Sequence, residues 1–458
     1  MTDEPPAASP DAGHEIAEPP AKPDGRALAA AATRKGGVTG LSRLQVLGVL
    51  FGLLGAALVL AVAGRLDDQD VRLTFGLGDL APSLTLDPPR FTRAVGALIA
   101  LAGAAAIADR WTKRLAGLGL IAATALLAPL VLVVALALST SASSLNLLPL
   151  LSESLRLATP IALGSLAGLF AERSGVVNIG IEGMMLAGAG VGFVVYAFVG
   201  AGLGGGALYL GILAAIVVGG AMAALHAMLC VTFRTDQIVS GVAINLLAIG
   251  ITSFLRREVL LDLGVGGAAT LRPIALPGLS SLPIIGPLFV GKPIFWTMFV
   301  VFVLTQLVLF RTAWGLRVRS VGEHPHAAET LGINVVKMRY QSVIIGGLIA
   351  GLAGAWFSLE TVGSFEDVMT QGAGFIALAA LIFGKWRPWP AFGGALLFGF
   401  TTALGSRIQL LSVEIGGYPI PSAFLQSVPY VVTIAVLAGA IGRAIPPASV
   451  GIPYRRER

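Results

Sequence analysis

Arg317–Gly332, RVRSVGEHPHAAETLG, is a polar stretch set between two long apolar runs, and it decides which kind of membrane fold this chain adopts. It reads as a short helix. Pro325 suits a first helical turn, Ala327, Ala328, Glu329, Thr330 and Leu331 continue it, and Gly332 ends it in a left-handed cap. A short Ala-containing helix with basic residues just before it is a handle for a partner's groove. The plainer reading of the same letters is an ordinary basic loop between two helices.

Around this stretch the chain is apolar. Of 458 residues, 55% are hydrophobic and 12% charged, and the mean hydropathy is +0.85. A water-soluble protein of this length carries many more surface charges. Several runs reach the roughly 18–20 apolar residues that cross a bilayer. The ten-residue alternation of a β-barrel is absent. The expected fold is therefore an all-α polytopic membrane protein with about 10–12 transmembrane helices, some of them broken. About twelve candidate spans fall near 44–64, 93–108, 115–138, 153–170, 181–202, 207–232, 238–255, 293–310, 341–358, 372–384, 391–406 and 425–442. The pair Gly347/Gly351 marks a close helix contact. The single cysteine, Cys230, says nothing about redox compartment. A sequence pI near 9.7 does not point to nucleic acid, because the basic residues lie mostly at span ends, where they set orientation against the membrane lipid.

Residues 1–40 are rich in Pro, Ala and acids and lack a basic segment followed by an apolar core, so they read as a disordered cytoplasmic tail rather than a signal peptide. Residues 41–140 read as accessory N-terminal transmembrane helices poor in polar positions. The stretch 145–445 reads as the working core, and 446–458 as a basic C-terminal tail. Counting Lys and Arg between spans places both termini, and the Arg317–Gly332 loop, in the cytoplasm. Arg65, Arg72, Arg90, Arg256, Arg257, Arg272, Lys292 and Arg407 run against that count.

No GxxxxGK[ST], HExxH or CxxC occurs. Two stretches carry polar groups inside apolar runs. In Glu172–Leu186, ERSGVVNIGIEGMML, Gly175, Gly180 and Gly183 interrupt the run beside Asn178 and Glu182. Interrupted helices in transporters expose backbone to a cavity, and a buried carboxylate needs a functional or paired role. Two readings of Glu182 stand: a group on the solute path, or a membrane-edge carboxylate that is solvated or paired with Arg173. In Thr370–Trp386, TQGAGFIALAALIFGKW, Gln371, Gly372 and Gly374 break the run and Phe375 follows, positioned to stack on a planar solute or to fill a helix contact. Asn245, in mid-span, is a hydrogen-bonding group for solute or for a neighbouring helix. His226 reads as a packed helix residue, and Trp356 as an interface anchor.

These stretches occur in a definite order: AERSGVVNIGIEGMML, VGEHPHAAETLGIN, then GAGFIALAALIFGKW. Together they resemble the permease subunits of bacterial ABC importers of the branched-chain amino acid, simple sugar and nucleoside group, nucleoside permeases above all. The resemblance covers about 148–443. It implies that the central loop holds a coupling helix of form E-A-A-x-x-x-G. Ala327, Ala328 and Gly332 match that spacing, His326 stands where the pattern has Glu, and Glu323 and Ile333 flank the match.

The resemblance further implies a transport subunit in the bacterial inner membrane with no ATP site and no cofactor of its own. ATP is bound by a partner ATP-binding subunit. A second permease chain, a distinct paralogue, and an extracytoplasmic solute-binding lipoprotein complete the assembly. Asn178, Glu182, Asn245, Gln371 and Phe375 are the expected solute path. The alternatives are the same architecture for simple sugars or branched-chain amino acids, and an ion-coupled secondary transporter, which needs several intramembrane carboxylates in a relay.

Overall fold

The computed structural model describes residues 43–456 apart from 77–80, 109–112, 140–142, 204, 264–269, 283–284, 412, 416–417, 426 and 428–443. The tail 1–40 and most of the span expected at 425–442 lie outside the described residues. Among the described residues, thirteen α-helices follow one another in chain order: α1 (Arg43–Ala57), α2 (Pro88–Ile107), α3 (Lys113–Ala137), α4 (Leu147–Arg173), α5 (Ile181–Leu203), α6 (Gly206–Ala227), α7 (Gln237–Leu255), α8 (Pro293–Arg311), α9 (Ala313–Glu323), α10 (Pro325–Thr330), α11 (Val335–Ala355), α12 (Ala373–Phe383) and α13 (Pro388–Leu410). Among the described residues, eight helices are long and apolar enough to cross a membrane. The chain is thus a polytopic helical membrane protein. The remaining expected spans coincide with α3, α13 and the short, wholly apolar α12.

Local chemistry sets the helix ends. Asn146 caps α4 by accepting from Leu148 N at 3.0 Å. Asp236 caps α7 by accepting from Ile238 and Val239 N at 2.8 and 3.0 Å, and Asn334 caps α11 through Lys337 N at 2.9 Å. Each oxygen satisfies an amide that the first turn leaves without an intrahelical partner. Several helices end in a wider π-turn, the longest at Trp356–Val362 beyond α11.

Packing rests on small residues. A Cβ added to Gly351 on α11 would stand 2.1 Å from the Ala215 carbonyl of α6, and one added to Gly347 would stand 2.1 Å from Ala223 Cβ. The two backbones touch, as the GxxxG spacing suggests. Without a hydrophobic driving force between helices in lipid, such close van der Waals contact is what holds them. The main core centres on α4, α5 and α11, with Leu163, Met184, Met185, Phe193 and Leu359 among its buried members.

The front of the chain adds a small sheet that sequence reading did not foresee. β1 (Val71–Thr74) lies between β2 (Ser83–Leu86), antiparallel with Val71 opposite Leu86, and β3 (Ser144–Asn146), parallel with Arg72 opposite Ser144. Strands of three or four residues are too short to show a period-two pattern. Val71 and Leu73 point inward and share a core with Leu132 and Leu136 of α3 and Leu404 and Ile408 of α13, so the N-terminal helices are joined to the larger bundle.

Candidate functional site

The two polar interruptions seen in the sequence meet in space. α4 ends at Arg173, the chain crosses through Gly175 (φ +91°), and α5 begins at Ile181. In the first turn of α5, Glu182 is 8% exposed. Its carboxylate accepts from Thr370 Oγ1 at 2.6 Å, Gly372 N at 2.8 Å and Gly374 N at 2.7 Å. A buried anion thus sits on the N-terminus of α12, where free amides and the helix dipole both favour negative charge. Arg173 does not pair with it. That guanidinium donates to the Trp386 carbonyl at 2.9 and 2.6 Å and lies 3.9 Å from Glu323.

Asn245 of α7 braces the other side of the break. Its Oδ1 accepts from Gly183 N at 2.8 Å and its Nδ2 donates to the Ile179 carbonyl at 3.2 Å. His226 of α6 reaches the same segment. Its Nε2 lies 3.0 Å from the Val177 carbonyl and its Nδ1 2.9 Å from Ser240 Oγ, so the proton sits on Nε2 and the hydroxyl donates to Nδ1. Asn178 is fully buried, with Nδ2 against Met184 Sδ at 3.6 Å and no partner for Oδ1 among the described residues.

Beside this junction opens a cleft of about 610 Å3, within the range of small-molecule sites. Trp356 and Phe357 form an aromatic wall, their rings 5.0 Å apart and perpendicular. Thr361, Thr370, Gln371, Thr402, Ser406 and Gln409 supply hydroxyls and amides, and among the described residues no charged side chain lines the space. Three irregularities face it: Pro160 within α4, the π-turn at Trp356–Val362, and the loop ahead of α12, where Val368 and Gln371 hold φ of +55° and +46°. Left-handed backbone at a β-branched residue costs energy and collects at functional sites.

Of the five residues expected on a solute path, Gln371 lines this cleft. Glu182 lies behind it, bonded to the lining residue Thr370; Asn178 and Asn245 belong to the α4–α5 break and not to the lining, and Phe375, 48% exposed, is not among the lining residues either. Trp356, expected at the membrane interface, is 5% exposed and turned into the cleft. The polar face of α13 escaped sequence reading, although Thr402, Ser406 and Gln409 recur at helical spacing within an apolar run.

At the other polar stretch, the helix expected from Pro325 is α10, and Gly332 closes it at φ +81°. Ala328 is buried against Val318, Val321, Val335, Met338 and Tyr454, while Ala327 and His326 are exposed. Leu331 is 82% exposed at the tip. A second cleft of about 540 Å3 adjoins it, lined in part by Gly332, Ile333, Val336 and Lys337. The C-terminal residues fold back here. Ala448 N donates to Glu323 Oε2 at 3.2 Å, Tyr454 donates its hydroxyl to Glu329, and the Tyr454 and His326 rings lie 5.3 Å apart. Burial and the bond to Glu329 push the Tyr454 phenol up to about 12, so it remains a donor.

A sequence profile described as the branched-chain amino acid transport system / permease component matches residues 150–446. The chain is 43% identical over 309 residues to the guanosine ABC transporter permease protein NupQ of Bacillus subtilis, covering 65% of this chain and 93% of that one. It is 40% identical to the nucleoside ABC transporter permease protein NupC of Lactococcus lactis subsp. cremoris, covering 66% and 94%. It is 37% identical to the putative glucose ABC transporter permease protein TsgC13 of Haloferax volcanii, covering 67% and 98%. No solved structure matches the chain significantly.

Proposed function

We propose that this chain, which belongs to the family of branched-chain amino acid transport system permease components, moves nucleosides inward as the membrane subunit of an ATP-driven importer. The observation that carries the solute class is the uncharged cleft walled by Trp356 and Phe357 and dressed with hydroxyl and amide groups. Aromatic faces stack on a planar base, and neutral donors and acceptors suit ribose hydroxyls. The names of the relatives NupQ and NupC support the same reading.

In this reading both termini and α10 face the cytoplasm, and α10 is the coupling helix. Glu323, His326, Ala327, Gly332 and Ile333 form the surface against which a separate ATP-binding subunit docks, and Ala328, buried beneath them, seats α10 on its neighbours. ATP is bound and hydrolysed there, and no cofactor resides in this chain. A second, paralogous permease chain completes the pathway, and an extracytoplasmic lipoprotein delivers solute to the opposite end, where the segment 256–292 offers a docking face. The helices α1–α3, ahead of the family match, are an accessory unit. Alternating access follows because nucleotide state biases one of two packings of the bundle.

An ion-coupled carrier fits less well. Glu182 and Glu360 are both engaged at helix N-termini, Glu360 accepting from Ile294 and Phe295 N at 2.6 and 3.1 Å. Glu153 pairs loosely with Arg407 at 3.8 Å. These three carboxylates are separate, not a relay.

The test is uptake into proteoliposomes holding the permease pair, ATPase and binding protein, with labelled adenosine, glucose and leucine. ATP-dependent adenosine uptake that falls about tenfold in Trp356→Ala is expected. Uptake of glucose or leucine alone reassigns the solute, and uptake without any ATPase overturns the importer reading.

A further inference from the structure

The C-terminal segment Ser449–Arg456 runs across three elements that the transport cycle must keep in register. Ser449 N donates to the Gly322 carbonyl at 2.9 Å, at the end of α9, and its hydroxyl lies 2.7 Å from that same oxygen. Gly451 N donates to the Gly175 carbonyl at 3.3 Å, in the turn between α4 and α5. The fit there is tight, since a Cβ added to Gly175 would stand 2.6 Å from Ser449 Oγ. Arg339 of α11, itself buried, donates to the Ile452 carbonyl at 3.1 Å, with its guanidinium 6.0 Å from the Tyr454 ring centre. Tyr454 is 8% exposed, packs on Ala328 and His326, and donates to Glu329 of α10. Arg456 Nε lies 2.8 Å from the same carboxylate.

A free basic tail would show none of this. Ser449 and Tyr454 are buried polar groups whose partners lie on α9, α10 and, through Gly451, on the α4–α5 turn. That turn leads directly into Glu182 and the start of α12. The exposed Arg456–Glu329 pair adds orientation more than strength; the buried contacts of Tyr454 and Ser449 are the anchors.

We propose that Ser449–Arg456 is a strap that positions α10 rigidly against the α4–α5 turn, and that Tyr454 is its positioning residue. It rests on the reading of α10 as the coupling helix. A push on α10 from a partner is passed to the turn through hydrogen bonds at Gly322, Gly175 and Glu329, instead of being absorbed by rotation of a six-residue helix about its own axis. The strap works by staying seated through the cycle.

The experiment measures solute moved per ATP hydrolysed in the complete transporter, with the amount of ATPase co-purified as a separate reading. Tyr454→Ala is expected to lower that ratio about tenfold while the ATPase still co-purifies, as loss of a charge-assisted bond and its packing implies. Tyr454→Phe, which keeps the ring and loses only the hydroxyl, is expected to fall between. A general loss of folding lowers uptake and hydrolysis together and leaves the ratio unchanged. An unchanged ratio in Tyr454→Phe overturns the proposal, including where Tyr454→Ala fails to assemble. If the ATPase fails to bind the wild-type permease, it is the reading of α10 that fails.

Discussion

Gly374 donates its backbone N–H to Glu182 Oε2 at 2.7 Å, and it lies so close under α5 that an added Cβ would stand 2.6 Å from Glu182 Cα. One contact therefore needs both a carboxylate on α5 and the absence of a side chain on α12. Glu182→Ala strands three donors in a buried site, each worth about 1–3 kcal/mol when unsatisfied. Glu182→Gln keeps one acceptor oxygen and points an amide NH2 at a donor, for a loss of about 1–3 kcal/mol. Melting in detergent should fall in the order wild type, Gln, Ala, with Gly374→Ala as low as Glu182→Ala. A Glu182→Gln protein that melts like wild type would falsify the capping role.

How much of this was legible in the sequence depends on which force acts at each place. Hydropathy is a property of single segments, so the spans and the helix at Pro325–Thr330 could be read directly, down to the left-handed Gly332. The polar breaks at Asn178–Gly183 and Gln371–Gly374 were visible as anomalies, but their pairing was not. Nothing in the spacing says that Glu182 and Gly374, 192 positions apart, share a hydrogen bond. Trp356 looked like an interface anchor because its position along the span was legible and its direction was not; it opens the π-turn Trp356–Val362, where the regular helical spacing of directions ends. Thr402, Ser406 and Gln409 formed a readable stripe that the surrounding apolar run masked.

The contact between α6 and α11 predicts a sharp contrast between glycines. Gly351→Ala places a methyl 2.1 Å from a carbonyl of the facing helix, and overpacking of that kind costs about 1–3 kcal/mol or forces the helices apart. Gly250 on α7 meets nothing within 4 Å. There Gly250→Ala should be neutral or stabilise by up to about 1 kcal/mol, the helix-propensity difference. Paired melting curves and size-exclusion profiles check both. Equal effects at the two positions would mean that α6 and α11 do not touch through their backbones.

The cleft predicts a split in kinetics. Thr402 and Gln409 reach it from α13, away from the Glu182 junction. Thr402→Val and Gln409→Leu remove hydrogen bonds to a hydroxylated solute without leaving a buried carboxylate. Each should weaken transport of a nucleoside by about 1 kcal/mol, near fivefold. A 2′,3′-dideoxy nucleoside should lose less, because the hydroxyls are already gone. Uptake assays with both solutes measure this, and an equal loss for the two would remove these side chains from hydroxyl recognition.

Leu331 and Gly332 separate docking from folding. Leu331 is 82% exposed, so Leu331→Asp takes nothing from the packed bundle and should leave the melting temperature of the isolated permease within error. An isolated apolar side chain held out at a helix end is well placed to be an anchor in a partner's groove, and such anchors dominate interface energetics, at about 2 kcal/mol or more. Leu331→Asp should therefore reduce co-purified ATPase at least tenfold. Gly332 has φ +81° and open space around it, so Gly332→Ala meets only the backbone cost of left-handed geometry, about 1–2 kcal/mol. That cost falls on the short helix α10 rather than on the bundle. Gly332→Ala should keep part of the ATPase binding, and Gly332→Val, β-branched at the same φ, should keep less. If Leu331→Asp binds the ATPase as wild type does while Gly332→Val abolishes binding, the docking surface lies on the shape of the turn and not on the exposed side chain.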